Sequence, residues 1–168
     1  MKQFFLLFYI FTFSAWINPQ RKGFVYLYIE KNAERAIRTM ESSGIPASII
    51  MAIALEESSA GTSEVAKNSN NQFGMKAGKA WKKDIYISKA GNRFRKYDSI
   101  QESYDDFALL ISRNYSSFLK IDKTNYKKWA RAFEKSSYCR RKGYDKRLIH
   151  IIESHLLYNL DNCIVEFK

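Results

Sequence analysis

The stretch from residue 44 to residue 61 constrains the fold of this 168-residue chain more than any other. It opens with Gly-Ile-Pro, which ends one helix and suits the start of another, because proline is favoured at the first helical position. Residues 47–55 follow with only apolar or small side chains and no charge. A helix without a polar face belongs inside a domain rather than on its surface. We therefore predict a buried central helix over residues 46–58.

Two adjacent carboxylates, Glu56 and Glu57, stand at the end of this helix and directly before the Ser/Gly-rich residues 58–61. Neighbouring helical residues point about 100° apart, so the two cannot share a face. We expect one to face solvent or a basic partner and the other to point into the space that the following loop encloses. A carboxyl group against apolar walls holds its proton more readily and suits general acid catalysis. The alternative is a solvated helix end, which the uncharged helix argues against.

Charge and cysteine content narrow the class of protein and its partners. The chain carries 28 Lys and Arg against 17 Asp and Glu, a net charge of +11. Such an excess favours an anionic partner, whether a cell-wall polymer, a nucleic acid or a membrane surface. The length suits one domain with its own core. The two cysteines, Cys139 and Cys163, are too few for a disulfide framework and lack the spacing of metal ligands. If the protein is exported, they can form a single disulfide with each other.

The N-terminal segment differs from the rest of the chain, since an apolar run at residues 4–16 follows the basic Lys2. The run is shorter than the roughly 20 residues of a membrane-spanning helix, which favours a secretory signal peptide. An uncleaved membrane anchor and a buried helix are the alternatives. We predict a signal peptide or anchor at residues 1–16, a linker at 17–23 and one domain at 24–168. The protein is then exported to the periplasm or cell envelope and contacts the membrane only through its N-terminal segment.

Hydrophobic periodicity predicts further helices around the central one. Residues 24–43 repeat apolar side chains at helical spacing, with charged residues on the opposite face. Capping residues predict three more helix starts, at Thr62 or Ser63, at Ser99 and at Thr124. A last helix over residues 144–157 is expected to pack five side chains inward, namely Leu148, Ile151, Ile152, His155 and Leu156.

The pattern changes between residues 81 and 97, where β-type residues flank a turn signal at 90–92 and predict a β-hairpin. We therefore predict an α+β, mainly α fold, a lysozyme-like bundle around the buried central helix with a small β-hairpin lobe. The chain thus has the layout of a lysozyme-type glycosidase. That layout combines a carboxylate at the end of a buried helix, an Asn/Phe/Gly turn at 68–76 and a lobe across a cleft. The chain has no GxGxxG after a strand, no P-loop and no GxSxG elbow, which argues against nucleotide-binding and serine-hydrolase classes.

Four motifs follow one another along the chain. They are Gly-Ile-Pro-Ala-Ser at 44–48, Leu-Glu-Glu-Ser at 55–58, Asn-Asn-Gln-Phe-Gly-Met-Lys at 70–76 and Phe-Arg-Lys-Tyr at 94–97. In this order and spacing they closely resemble the glucosaminidase family, glycoside hydrolase family 73, which includes flagellar and staphylococcal-type cell-wall hydrolases. The similarity runs from about residue 26 to about residue 161, nearly the whole predicted domain.

The resemblance implies roles for individual residues. The family's acid directly precedes the serine of its Glu-Ser motif, which implies Glu57 as the general acid and leaves Glu56 where an apolar residue is usual. The family's active-site tyrosine falls on Tyr138. Asp84 is the only carboxylate between residues 81 and 97 and is the candidate second acid, although its position departs from the family's pattern. Substrate-binding positions are implied at Asn71, Phe73, Trp81 and Arg95.

The chain departs from the family's pattern on both sides of the predicted cleft. The Gly-Trp that usually follows the motif's serine is Ser59-Ala60, which removes an aromatic wall of the groove. A small, acidic segment after the active-site tyrosine is replaced by Cys139, Arg140, Arg141 and Lys142. The resulting positive rim is expected to attract the carboxylates of peptidoglycan stem peptides. A solvated basic loop is the alternative.

The resemblance implies a peptidoglycan hydrolase that cleaves the β-1,4 bond after N-acetylglucosamine by general acid catalysis. The expected partners are peptidoglycan glycan strands and not nucleic acid, the expected state is a monomer, and no metal or organic cofactor is implied. Without a clear second carboxylate, an inverting route through water and assistance by the substrate's acetamido oxygen both stay open. Two other functions also stay open, a lytic transglycosylase-type muramidase with the same fold and a wall-binding module with weakened catalysis.

Overall fold

The computed structural model describes residues 23–139 and 141–163. Within them the chain forms helices α1 (Phe24–Ser43), α2 (Ala47–Ser58), α3 (Glu64–Ser69), strands β1 (Ile85–Ile87) and β2 (Arg93–Arg95), α4 (Ile100–Asn114), a 3₁₀ helix (Ser116–Lys120), α5 (Tyr126–Lys135), α6 (Tyr144–Ser154) and a second 3₁₀ helix (Leu157–Asn162). The predicted signal peptide or anchor at 1–16, most of the linker and Arg140 lie outside the described residues. The domain bounds 24–168 therefore stay a prediction.

Helix α2 is the buried centre of the fold, as predicted. Every residue from Ala47 to Leu55 is buried. Helices α1, α5 and α6 and the second 3₁₀ helix all contact α2, so an apolar surface surrounds it on every side. The helix begins one residue later than predicted, because Pro46 takes an extended conformation (ψ 135°) at the N-cap position instead of the first helical position.

A buried carboxylate from the far end of the chain caps the start of α2. The backbone N–H of Ser48 donates to Asp161 Oδ1 at 2.8 Å, and the Ser48 hydroxyl donates to Oδ2 at 2.7 Å. Asp161 lies in the second 3₁₀ helix and is itself buried. Burial raises the pKa of Asp161, and the hydrogen bonds from Ser48 oppose that rise. This pair joins the C-terminal turn to the first turn of the central helix and satisfies an N–H that has no partner within the helix.

The predicted last helix is wrong at its C-terminal end. Helix α6 stops at Ser154, and Leu156 adopts the left-handed conformation (φ 54°), which turns the chain into the second 3₁₀ helix. Leu156 was predicted to pack inward and is 42% exposed, whereas the neighbouring Leu157 and Leu160 are buried. The left-handed residue shifts the helical register, so the apolar face continues one residue later than a single helix would place it.

Two predicted caps are confirmed and one is wrong. Ser63 caps α3 and Ser99 caps α4, each through its side-chain oxygen. Asn125, and not Thr124, caps α5, since its side chain accepts from the Lys128 N–H at 3.0 Å. Thr124 instead donates its N–H and hydroxyl to the Asp122 carboxylate in the preceding turn, which leaves the next residue to take the cap.

The predicted β-hairpin lobe is confirmed. Strands β1 and β2 pair antiparallel with Tyr86 opposite Phe94. Two side chains at the end of β2, Arg95 and Tyr97, bond the Asp106 carboxylate on α4. Burial and the bond to Asp106 raise the pKa of Tyr97. These contacts fix the small lobe against the helical part of the domain. Among the described residues, no helix is long and apolar enough to cross a membrane.

The cap on α2 predicts a stability effect. In Asp161→Ala the buried N–H and hydroxyl of Ser48 lose their acceptor, which should lower the free energy of unfolding by about 1–3 kcal/mol. Urea denaturation of the purified domain measures this difference. The control is Asp105→Ala, which removes an exposed carboxylate of α4 that accepts one bond from Gln101 and should change stability by less than about 0.5 kcal/mol. Equal destabilisation by the two variants would contradict the cap's importance.

Candidate active site

A cleft of about 580 Å³ opens between the end of α2, the turn after α3, helix α4 and the loop between α5 and α6. Its walls mix apolar rings with a few charged groups. The residues that line it are Glu57, Phe73, Gly74, Met75, Lys76, Leu110, Tyr115, Ser137, Tyr138, Cys139 and Arg141. Among these described residues Glu57 is the only carboxylate, so the cleft has one carboxyl group for proton transfer.

Glu57 projects into the cleft from the last turn of α2, and its side chain is 24% exposed. Its Oε1 accepts two hydrogen bonds, one from the Tyr144 hydroxyl at 3.0 Å and one from an Arg141 guanidinium nitrogen at 3.0 Å. Within the described residues Oε2 accepts no hydrogen bond and is left for a substrate. The carboxyl group is thus fixed by one oxygen and presents the other.

Tyr144 is fully buried at the start of α6, and its hydroxyl holds the Glu57 carboxylate in place. Its backbone N–H donates to Glu134 Oε2 at 2.8 Å, and the Gly143 N–H donates to Oε1 at 3.0 Å. Chiefly the Gly143 N–H lowers the pKa of Glu134, with a smaller effect from the Tyr144 N–H. Burial, with the neighbouring Tyr138 and Glu57, raises the pKa of Tyr144. The phenol therefore stays protonated and can donate to Glu57.

Tyr138 lines the cleft beside Glu57 and is held by other aromatic rings. Its ring packs edge-on against Phe133 (5.1 Å between centroids), Phe107 (6.0 Å) and Tyr115 (6.3 Å). Burial among these rings raises the pKa of Tyr138, and the charge of Glu57 adds to the rise. The predicted pair of Glu57 and Tyr138 is thus brought together in one cleft.

Glu56 points away from the cleft, as expected for adjacent residues of a helix. It borders a separate cavity of about 330 Å³ on the other side of α2. Its carboxylate is 18% exposed and accepts from Arg147 Nε at 3.0 Å, with an Arg141 nitrogen at 3.6 Å. Glu56 therefore has a basic partner, Arg147, as the sequence analysis expected for one of the two carboxylates. Arg141 lies between the carboxylates of Glu56 and Glu57.

Asn71 and Phe73, both predicted to bind substrate, occupy the turn that forms one wall of the cleft. Asn71 is buried, and its side-chain amide donates to the carbonyls of Met75 (3.0 Å) and Arg95 (2.8 Å) and accepts from the Met75 N–H (2.9 Å). Phe73 stacks on Phe107 at 4.3 Å and lines the cleft. Asn71 thus shapes the wall through backbone bonds, and Phe73 contributes part of its surface.

The remaining predicted site residues lie in the β lobe and are not among the residues that line the cleft. Trp81 donates its indole N–H to the Asp84 carbonyl at 2.8 Å and carries the Arg95 guanidinium over its ring at 4.8 Å. Arg95 also pairs with Asp106. Asp84 is exposed and contributes its backbone carbonyl to these contacts. In the described residues the structure thus joins Trp81, Arg95 and Asp84 to each other rather than to Glu57.

The loop after Glu57 has an unusual backbone. Ser59, Ala60 and Gly61 all adopt positive φ, at 52°, 51° and 74°. Gly61 is required here, because an added Cβ would lie 2.9 Å from the Tyr28 ring. The Ser58 hydroxyl accepts from the Gly61 N–H at 2.7 Å and holds the turn closed. Ser59 and Ala60, which replace the family's Gly-Trp, thus take a conformation that costs energy in any residue except glycine.

The cysteines do not form a disulfide, since both are free. Cys139 lines the cleft next to Tyr138, and Cys163 follows the second 3₁₀ helix. Among the described residues, no group of three or more His, Cys, Asp and Glu side chains comes together as a metal site.

Sequence reasoning missed two partners of Glu57. Tyr144 was placed only at the start of the last helix, and Arg141 only at the rim of the cleft. They lie 87 and 84 positions away from Glu57 in sequence, so no local pattern joins them. Residues 137–144 resemble the family's Gly-Tyr-Ala-Thr-Asp-Pro-x-Tyr segment, whose second tyrosine falls on Tyr144, and that resemblance was the available signal.

Solved structures with the same arrangement of elements define the class of the fold. The catalytic domain of the autolysin Auto from Listeria monocytogenes has a TM-score of 0.69 at 24% identity, over 89% of this chain and 93% of that one. The glycoside hydrolase domain of FlgJ from Salmonella typhimurium has a TM-score of 0.67 at 25% identity, over 80% and 90%. These likenesses confirm the predicted mainly helical, lysozyme-like fold with a small β lobe.

Residues 33–157 match the glucosaminidase family, described as mannosyl-glycoprotein endo-beta-N-acetylglucosaminidase. The match covers most of the chain, so the chain belongs to the glucosaminidase family, as its motifs predicted. The exo-glucosaminidase LytG of Bacillus subtilis is 32% identical over 149 residues, 80% of this chain and 52% of LytG. An N-acetylmuramoyl-L-alanine amidase domain-containing protein of Staphylococcus aureus is 29% identical over 153 residues, 80% of this chain and 24% of that protein. The chain therefore spans about half and about a quarter of the length of these relatives.

The positive φ values after Glu57 predict a stabilising substitution. Ser59→Gly removes the Cβ clash of a left-handed residue and should raise the free energy of unfolding by about 0.5–1 kcal/mol. Ser112 is the control, because it is exposed within α4, and Ser112→Gly should cost about 0.5–1 kcal/mol. Urea denaturation of both variants measures the two shifts. A loss of stability in both would show that the loop is not strained at Ser59.

Proposed function

We propose that this chain is a peptidoglycan hydrolase that cleaves the β-1,4 bond after N-acetylglucosamine by general acid catalysis. One observation carries the proposal: Glu57, at the end of the buried helix α2, is the single carboxylate among the described residues that line the cleft. Membership of the glucosaminidase family supports the reaction class. The relative LytG, named as an exo-glucosaminidase, supports the sugar.

Glu57 gives its proton to the glycosidic oxygen as the bond between that oxygen and the anomeric carbon breaks. Oε2 is the oxygen that delivers the proton, since Oε1 is the one that accepts from Tyr144 and Arg141. The Tyr144 hydroxyl stabilises the carboxylate that remains after the transfer, because a hydrogen bond to a charged acceptor is stronger than one to a neutral acceptor. Tyr138 lines the site beside Glu57 and orients water, the acetamido group or the developing charge.

The second half of the reaction proceeds without a second carboxylate in the cleft. Retaining glycosidases place two carboxyl groups about 5–5.5 Å apart, and no other carboxylate lines this cleft in the described residues. Asp84, the candidate second acid, is exposed in the β lobe and does not line the cleft. The proposed route is therefore attack by the acetamido oxygen of the substrate, or attack with inversion by a water that gives its proton to bulk water instead of to a second carboxylate.

The proposed substrate also fixes where the protein acts. Peptidoglycan lies outside the cytoplasm, so the enzyme is exported to the periplasm or cell envelope, with residues 1–16 as signal peptide or anchor. It acts on glycan strands as a monomer and does not bind nucleic acid. The net charge of +11 suits an anionic wall polymer.

The role of Glu57 predicts a sharp difference between two neighbouring residues. Glu57→Gln keeps the shape of the side chain and removes the acid, so the release of reducing ends from purified peptidoglycan should fall by a factor of about 10²–10⁴ or more. Glu56→Gln is the matched variant, since Glu56 faces the other side of α2, and it should lose far less activity. Both variants should unfold at urea concentrations close to that of the parent.

The reverse result decides against this assignment. If Glu56→Gln abolishes turnover while Glu57→Gln retains it, the general acid is Glu56, and the cleft described above is not the catalytic site.

A further inference from the structure

Arg141 is the basic residue that contacts Glu57 inside the cleft. One guanidinium nitrogen lies 3.0 Å from Glu57 Oε1, and the other lies 3.6 Å from Glu56 Oε1. The side chain is 56% exposed and lines the cleft.

The contact conflicts with the proposed role of Glu57. A general acid must carry a proton when the substrate arrives. An arginine within hydrogen-bond distance favours the charged carboxylate and opposes protonation. Arg141 must therefore leave this position before Glu57 acts as the acid.

The surrounding network allows Arg141 to leave. Glu56 keeps its bond to Arg147 Nε at 3.0 Å after Arg141 departs. Glu57 keeps its bond to the Tyr144 hydroxyl, a neutral donor that stabilises the carboxyl group in either form. Neither carboxylate is left without a partner, so the departure of Arg141 exposes no unpaired buried charge.

The exposed guanidinium also has N–H groups to offer to a substrate. Its planar fork suits carboxylates, which it binds with two parallel hydrogen bonds. Its neighbours along the cleft wall are Ser137, Tyr138 and Cys139. The Cys139 sulfur and the Glu57 carboxylate raise the pKa of Arg141, so the guanidinium stays charged. A carboxylate in the cleft can therefore replace Glu57 as its partner.

We propose that Arg141 is a specificity-determining residue that exchanges Glu57 for a carboxylate of the substrate, so that the enzyme favours carboxylate-bearing glycan strands over neutral ones. The inference rests on the proposed function and deepens it. When a stem-peptide carboxylate takes the guanidinium, Glu57 keeps the Tyr144 hydroxyl as its partner and is free to act on the glycosidic oxygen. On a neutral strand Arg141 stays bonded to Glu57.

Other groups around Glu57 do not replace Arg141 in this role. Arg147 is bonded to Glu56, and Lys76 lies over the Phe94 ring at 3.8 Å. Titratable or charged residues face Glu57 or its guanidinium partner from several of the elements packed around them. They are Glu56, Lys76, Tyr115, Tyr138, Cys139, Arg141, Tyr144 and Arg147. Of these, Arg141 is the cation that bonds the Glu57 carboxylate directly.

The test compares purified, solubilised peptidoglycan strands before and after amidation of their carboxyl groups, which removes the charge and keeps the glycan. The parent enzyme should show kcat/KM about 10- to 100-fold higher on the native strands, the range expected for a charge-assisted bond. Arg141→Ala should bring this ratio close to one, by losing activity on native strands and gaining it on amidated ones.

Two further variants separate recognition from bulk charge and from folding. Lys146→Ala removes an exposed charge from the first turn of α6 and should leave the substrate ratio unchanged. Arg141→Lys keeps the charge but loses the planar fork, and should give an intermediate ratio. Urea denaturation of each variant checks that the fold is intact.

The outcomes distinguish the inference from the function on which it rests. If Arg141→Ala lowers activity by the same factor on both substrates, the exchange is wrong and the hydrolase stands. If the parent releases no reducing ends from either substrate, both the proposed function and the exchange are wrong.

Discussion

The burial of α2 is the constraint from which the rest of the structure follows. Residues 47–55 offer no charged face, so the other helices and the C-terminal 3₁₀ helix must surround them. The first turn of such a helix still has N–H groups to satisfy, and Asp161 reaches it from the end of the domain to do so. The hydrophobic effect thus fixes where α2 lies, and the cap joins the C-terminal turn of the fold to it.

The same helix explains why the candidate site is where it is. The unbroken run of buried residues ends at Leu55, and the next two residues are carboxylates that point in different directions, Glu56 toward a separate cavity and Glu57 into the cleft. Partly desolvated carboxylates need partners, which the loop after α5 and the start of α6 provide through Arg141, Arg147 and Tyr144. Glu134 holds the start of α6 by two backbone bonds. The chemistry of the cleft is therefore set by groups whose backbone is anchored to the core.

The sequence predicted the elements whose signal is local. Helix α1 was predicted with its observed bounds, the central helix within one residue, and the hairpin from its turn, because side-chain periodicity and turn residues act over a few positions. Only the resemblance to the glucosaminidase family predicted that Glu57 and Tyr138 share one cleft. Their shared surroundings depend on contacts between distant segments, which no pattern in the chain encodes, and Arg141 on Glu57 is the clearest case.

The errors have the same origin. Thr124 and Asn125 are both residues that favour the N-cap position. Thr124 bonds the Asp122 carboxylate in the preceding turn, so Asn125 caps α5. Leu156 fits a helical stripe until a left-handed backbone shifts the register. The substrate-binding roles of Trp81 and Arg95 stay predictions, and the described contacts of both residues hold the β lobe together and to α4. A motif thus identifies a family reliably while leaving open which of its residues touch the substrate.

The identity of the new chain ends in digested peptidoglycan tests the central claim most directly. Products are reduced with borohydride, hydrolysed in acid and examined by mass spectrometry, so that each newly formed reducing sugar is recovered as its alcohol. The account predicts glucosaminitol as the new end, with one water added for each bond cleaved. Muramitol, anhydro sugar ends or the absence of new ends would contradict it, indicating respectively a muramidase, a lytic transglycosylase or a binding module.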